Sequence, residues 1–457
     1  MASKRHEIDM CNGPLGPKIL AFTLPLMLSS ILQLLFNAAD VIVVGRYASD
    51  ASLAAVTSTG SLVNLLVNLF MGLSIGANVV VAQAIGHNDA KRTERAVHTS
   101  LLVSLISGLL LMAVGFFTAR QLLEWMSSPE NVIELSSLYL RIYFLGMPAS
   151  LFYNFGSALL RATGDTRRPL NYLSFAGVLN VCLNLLLVIV FHLDVAGVAI
   201  ATITSQYVSA LLILRCLLRE TGPLHLELSR LRIDKEIFGA IVRIGLPAGF
   251  QGVVFSLSNV VIQSSINSFG DIVMAGSGAA ANIESFVYMA MNAFYQSCLT
   301  FTSQNYGAGR RERVDKTLLW CQLYVVITGL VLGNLAYLFG PQLLSIYTPS
   351  AEVAAQGMIR MSYIAVPYFL CGVMDVMVGS LRGLGWSVAP MVVSILGVCG
   401  IRLLWVATAF QAVRTPGCLY ISYPITWVVT GAVHIICFLI IRKRVYERMA
   451  AAVEVKS

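Results

Sequence analysis

Asp40, Glu284, Asp375, Arg402 and His434 stand inside long apolar stretches of this sequence, where an ionisable side chain is costly and usually functional. Asn180 and Asn184 are four residues apart, so on a helix they share a face. Counted along helices rising roughly 1.5 Å per residue, Asp40, Asn180, Asn184 and Thr202 fall at comparable depth. A carboxylate with amide and hydroxyl oxygens is what a proton or a hard cation such as Na⁺ requires. The same set also suits a hydrogen-bonded packing network between helices. In the second half, Glu284 and Arg402 both fall near the middle of their stretches, and an opposite-charge pair there would relieve much of the burial penalty. We expect these two to interact, as part of a transport site or as a structural ion pair. Asp375 lies nearer one end, out of reach of Arg402, and is expected to face a water-filled cavity. His434 reads as a packed or cavity-facing histidine. Met289, Met291, Phe294 and Tyr295 suit either a plastic drug pocket or ordinary helix packing.

The elements that must position these residues follow from composition. The chain has 457 residues, of which 57% are hydrophobic and only 12% charged. A soluble protein of this length needs far more polar surface, and a disordered one far more charge. Apolar runs bounded by charges, Pro or Gly predict an all-α integral membrane protein with twelve transmembrane helices. They fall near 19–44, 53–85, 97–119, 136–159, 170–191, 195–218, 244–267, 273–305, 318–340, 358–381, 389–411 and 419–441. The runs are continuous and do not alternate, which excludes barrel strands.

Positive charge sets the orientation. Of the 31 lysines and arginines, only Arg46, Arg120, Arg141, Arg360 and Arg414 fall in one set of connections, and Arg402 lies within a span. The rest lie in the termini and the alternate connections, which places both termini in the cytoplasm of a multi-pass cell-membrane protein. The net charge of +8 is thus topological, with no nucleic-acid patch. The nine cysteines are sparse and read as small apolar residues. No Gly-Lys-Ser/Thr, His-Glu-x-x-His or Cys-x-x-Cys sequence occurs, so no nucleotide-driven motor, enzyme, cofactor or metal site is expected beyond a transported Na⁺.

The chain repeats itself. Gln83, Gly86, Arg92, Leu160, Arg161, Gly164 and Pro169 recur as Gln304, Gly307, Arg313, Leu381, Arg382, Gly385 and Pro390. That is a constant offset of 221 residues, and Leu24-Pro25 recurs as Leu246-Pro247 one residue further out. Each half holds six spans, so the two pseudo-symmetric six-helix bundles are parallel repeats. We read 1–18 as a cytoplasmic arm, 19–218 and 244–441 as the two lobes, 219–243 as a cytoplasmic linker with a short amphipathic segment, and 442–457 as a tail. Each Leu-Arg-x-x-Gly followed by Pro also reads as the turn of a helical hairpin.

In combination these features resemble the multidrug and toxic compound extrusion (MATE) family. The resemblance rests on Leu24-Pro25 with Asp40 and Gly45, on Gly72, Gly76-Ala77, Ala82-Gln83 and Gly86, and on Leu160-Arg161-Ala162-Thr163-Gly164-Asp165. Gln304-Asn305-Tyr306-Gly307-Ala308-Gly309 and Leu381-Arg382-Gly383-Leu384-Gly385 carry it in the second half. It covers about residues 15 to 441. It implies alternating access and export of small organic cations against H⁺ or Na⁺, with Asp40, Asn180, Asn184 and Thr202 as the cation site and Pro25 as a kink in the first span. Some members carry a second carboxylate where this chain has Asn184, and others an acid in span 7 where it has Ser256. A monomer in the lipid bilayer is expected. A flippase for lipid-linked saccharides and a channel are the competing readings.

Overall fold

The structure is a computed structural model that describes residues 7–125 and 130–454. The outermost parts of the expected arm and tail, 1–6 and 455–457, lie outside the described residues. The first half forms α1 (Leu15–Tyr47), α2 (Asp50–Gly86), α3 (Ala90–Trp125), α4 (Glu130–Leu145), α5 (Met147–Ala162), α6 (Arg167–Asn184) and α7 (Asp194–Arg219). A π-helical turn, Leu185–Val190, extends α6. The second half forms α8 (Lys235–Asn267), α9 (Asp271–Gly307), α10 (Arg311–Leu338), the short α11 (Gly340–Ser345), α12 (Ala351–Ile364) and α13 (Phe369–Gly383). It continues with α14 (Val388–Ser394), a second π turn at Ile395–Gly400, α15 (Ile401–Ala407), α16 (Ala409–Ala412), α17 (Pro416–Tyr420) and α18 (Ser422–Glu454).

The fold is an all-α integral membrane protein of two six-helix repeats. Among the described residues nine helices are long and apolar enough to cross a bilayer, and α12 with α13, bent by 48° at their break, makes a tenth. The other two expected crossings lie in α4–α5 and in α9. Helices α4 and α5 have 16 residues each and part at Gly146, with Pro148 opening α5. Helix α9 has 37 residues but falls short in apolarity because it buries Ser277, Glu284, Ser297, Ser303, Gln304 and Asn305. It packs on α10, α12 and α13, so helices stand where lipid would otherwise demand apolar side chains. Lipid-facing surfaces look the opposite way: Phe117 on α3 and Leu338 on α10 are exposed large hydrophobics.

The chain divides into two compact units. One holds Leu28–Gly249 with the stretch that ends at Asp9; the other holds Met10–Met27 with everything from Phe250 onward. This differs from the expected lobes, 19–218 and 244–441, at the two interior prolines. Pro25 and Pro247 each lie two residues before the point where α1 or α8 passes from one unit to the other. Proline removes a backbone donor and clashes with the preceding turn, so the helix is weakest there.

Repeated motifs explain the packing within each unit. In the first, a Cβ on Gly72 would sit 2.2 Å from the Gly249 nitrogen, and one on Gly76 would sit 2.3 Å from the Ile241 carbonyl. Gly72 and Gly76 on α2 thus face Gly245 and Gly249 on α8, two small-xxx-small pairs that let the backbones touch. In the second, the α1 start packs on α9: Thr23 and Ser297 hydroxyls bond at 2.7 Å, and Phe22 meets Phe301 edge-on. Asn305 and Arg313 donate to the Met10 carbonyl at 3.2 and 3.0 Å, which ties the segment before α1 to α9 and α10. Gly164 and Gly385 adopt left-handed backbone, φ +94° and +86°, and end α5 and α13, as the hairpin reading expects. Arg382 does not snorkel to a surface. It is buried and donates to Tyr295 at 2.8 Å and Gln251 at 2.9 Å.

The linker departs from the expected amphipathic segment. It makes one 3-10 turn at Leu228–Arg230, and α8 already begins at Lys235. Leu226 is buried while Leu228 and Ile233 are exposed, so its apolar residues do not form one helical stripe. It is tied to α3 by Arg95–Asp234 at 2.9 Å and Arg230–Glu94 at 2.9 Å. Asp234 caps α8, accepting from the Ile237 and Glu236 backbone N–H groups at 3.2 and 3.0 Å. The Ile237 N–H bond leads in holding the Asp234 carboxyl below the usual carboxylate range.

Candidate functional site

Each unit buries a polar cluster that contains intramembrane ionisable residues singled out in the sequence. In the first unit the residues come from α1, α6 and α7. The Asn184 amide nitrogen donates to Asp40 Oδ1 and, at 3.3 Å, to Asn180 Oδ1. The Asn180 amide donates to the Thr202 hydroxyl at 3.5 Å. That hydroxyl donates to the Val198 carbonyl at 2.9 Å and lies 3.4 Å from Asp40 Oδ2. Asp40, Asn180, Asn184 and Thr202 are therefore brought together. Asn180 and Asn184 are buried, and Asn184 is the last α-helical residue before the π turn, which widens the helix where the cluster sits. Asn184 Oδ1 is buried with no hydrogen-bond partner among the described residues. A carboxylate and an open amide oxygen are acceptors, so the cluster attracts a proton or a hard cation.

The second unit's cluster corrects the expected ion pair. Glu284 pairs with Arg360, whose Nη2 and Nε stand 2.8 and 3.2 Å from Glu284 Oε2, while its Nη1 donates to Ser277 at 3.0 Å. Arg402 is not the partner. The reason is the course of α12, which starts at Ala351 and carries Arg360 well into the unit, where it is buried. Arg360 lies inside the expected span 358–381, a position in the sequence that by itself places it among the buried cations. Arg402 instead donates from Nε to the Thr426 hydroxyl at 3.1 Å and stacks on Tyr423, 4.0 Å from its ring centre.

Glu284, Arg360, Asp375 and Arg402 nonetheless line one cavity of about 390 Å³ within this unit. Asp375 lines it together with Tyr288, and among the described residues makes no ion pair with Arg402. The drug-pocket expectation is corrected in part. α9 lines the cavity with Ala281, Glu284, Ser285 and Tyr288. Met291, Phe294 and Tyr295 lie further along α9 and are buried as packing: Met291 against Gly329 and Gly372, Phe294 near Tyr324, Tyr295 on Arg382. Met289 does not line the cavity either. His434 is buried and bonds to Ser394 at 3.0 Å, a packed residue.

Two residues of the second unit, Arg402 and Tyr423, correspond in register to the first unit's cluster. A π turn holds one residue more than an α turn. In the second half it precedes Arg402; in the first it follows Asn180. The 221-residue register is therefore one out at this point, and Arg402 takes the place of Asn180. Beyond both π turns the register returns, and Tyr423 takes the place of Thr202. By the register that Pro25 and Pro247 set, Ile262 takes the place of Asp40.

Two parallel six-helix repeats, each with ionisable side chains buried within its spans, define a transporter of the membrane. The chain belongs to the MatE family, whose pattern matches residues 25–186 and again 247–407, once in each repeat. It is 28% identical over 421 residues to the probable multidrug resistance protein YoeA of Bacillus subtilis (strain 168), covering 90% of each chain. It is 29% identical over 398 residues to the probable multidrug resistance protein YpnP of the same strain, covering 86% of this chain and 88% of that one. Its fold is similar to a MOP superfamily transporter from Pyrococcus furiosus Vc1 (DSM3638), with a TM-score of 0.89 at 22% identity over 95% of this chain and 98% of that one.

Proposed function

We propose that the protein is a secondary active multidrug exporter. It works in the cell membrane as a monomer with both termini cytoplasmic, and moves organic cations outward against H⁺ or Na⁺ by alternating access. The observation that carries this reading is the Asp40 cluster: one buried carboxylate with two amides and a hydroxyl, next to an open amide oxygen. The names of the relatives support the substrate class.

A coupled cycle needs a site whose affinity for the ion differs between the two facings, since equal binding shifts nothing. Asp40 supplies the charge. Asn184, Asn180 and Thr202 hold it in place and offer oxygens to the incoming ion. When an ion leaves, the Asn184 amide is the nearest donor to the carboxylate, so loading and unloading repack α1 against α6. The reading is transport and not catalysis, and it requires organic solutes and a bilayer as partners, no nucleic acid and no resident cofactor. The flippase alternative calls for several cavity cations to meet pyrophosphate, and here Glu284 neutralises Arg360 and leaves Arg402.

Dye uptake into everted membrane vesicles tests the proposal. A lumen-acid gradient or a lumen-high Na⁺ gradient, imposed separately, should drive accumulation of a cationic dye. Accumulation that responds to neither gradient would overturn it.

A further inference from the structure

We propose that the second unit's cavity is a subsite for a flat aromatic group bearing a carboxylate, with Arg402 as the anion receptor. This adds a substrate class to the export reading on which it rests.

Arg402 is more than nine-tenths buried, at 6% exposure. Its Nε is committed to Thr426 and one face to Tyr423. Among the described residues no carboxylate lies in ion-pair range of it, and both terminal nitrogens lack a protein acceptor. Because Arg402 lines the cavity, that open edge points at the cavity's contents. A guanidinium edge with two parallel N–H donors matches a carboxylate bidentately, far better than it matches a point anion. The other cation on the wall, Arg360, is already neutralised by Glu284.

The rest of the wall selects what the carboxylate is attached to. Tyr288 stacks near Tyr368 at 6.4 Å, Tyr368 on Trp427 at 5.3 Å, and Tyr423 meets Trp427 at 6.0 Å. This continuous aromatic surface adjoins Arg402, so a ring fused or bonded to the carboxylate lies against it. About 390 Å³ is within the range of small-molecule sites. Asp375 on the same wall has no cationic partner within ion-pair range among the described residues. A zwitterion that carries an ammonium group besides its aromatic carboxylate therefore also fits, which reconciles the subsite with export of organic cations.

The test is equilibrium binding by calorimetry to the purified full-length protein in detergent, independent of any gradient. The probes are 2-naphthoate, 2-naphthamide of the same shape without the charge, and acetate without the ring. The wild-type protein should bind 2-naphthoate about tenfold or more tighter than 2-naphthamide, with acetate weaker still. Arg402→Gln should erase the preference for naphthoate over naphthamide, and Arg402→Lys, which keeps the charge but loses the fork, should retain part of it. Equal binding of the two naphthyl probes, no binding of either, or a preference that survives Arg402→Gln would overturn the inference, as would acetate binding as tightly as naphthoate. If naphthoate binds as expected while vesicles show no gradient-driven dye uptake, the subsite stands and the export reading fails.

Discussion

At corresponding stations the first unit buries a carboxylate among amides, and the second buries a guanidinium among aromatic rings. In register, Asp40, Asn180 and Thr202 of the first repeat correspond to Ile262, Arg402 and Tyr423 of the second. The scaffold is duplicated; the chemistry is not. In the first unit the carboxylate is held by neutral donors, so its charge remains available to an arriving cation. In the second, among the described residues, the Glu284–Arg360 pair closes on itself, and Arg402 and Asp375 are left on the same cavity wall without an ion-pair partner. A duplicated membrane protein can thus divide its labour, with ion exchange in one repeat and solute recognition in the other.

The largest effect is expected at Arg360. Arg360→Ala leaves Glu284 buried without its cation and should cost about 3–5 kcal/mol, read as thermal unfolding of the detergent-purified protein. Adding Glu284→Ala should restore much of that loss. If the double variant is as unstable as the sum of the singles, the pair is not coupled and the second unit's charge balance must be redrawn. Arg402→Gln, which has no carboxylate to strand, should cost only about 1 kcal/mol.

In the first unit, Asn180→Ala removes an oxygen but leaves Asp40, and should raise the ion concentration for half-maximal efflux about tenfold. An unchanged ion dependence would exclude Asn180 from the site. The smallest effect is expected far from both clusters. Asp234→Ala uncaps α8 and should cost about 1 kcal/mol. Because the folded Asp234 carboxyl is held below its usual value by the Ile237 N–H, its contribution is fully present above pH about 4. It fades only as pH falls through the lowered folded value. A stability difference between wild type and Asp234→Ala that vanished at neutral pH would contradict the capping role.

Much of this was legible in the sequence, for identifiable reasons. Apolar runs locate helices because lipid enforces them, and the i, i+4 spacing of Asn180 and Asn184 with matched depth gathers the Asp40 cluster. What escaped depends on tertiary context. Helix α9 is polar because other helices surround it, which no hydropathy window reports. The Glu284 partner was missed because depth along a helix says nothing of which neighbour faces it. The alignment of Arg402 with Asn180 is hidden by a one-residue slip that only the π turns explain. The passage of α1 and α8 between units two residues after their prolines leaves a local signal, but not its destination.

If the first unit's carboxylate couples ion movement to export, Asp40→Asn, which keeps size and removes charge, uncouples the protein. The measurement is gradient-driven dye uptake into everted vesicles that contain equal amounts of inserted wild-type or variant protein. Asp40→Asn should insert normally and lose uptake under both proton and sodium gradients. Uptake at the wild-type rate, with unchanged dependence on pH and sodium, would contradict it and move the coupling site to Glu284 or Asp375.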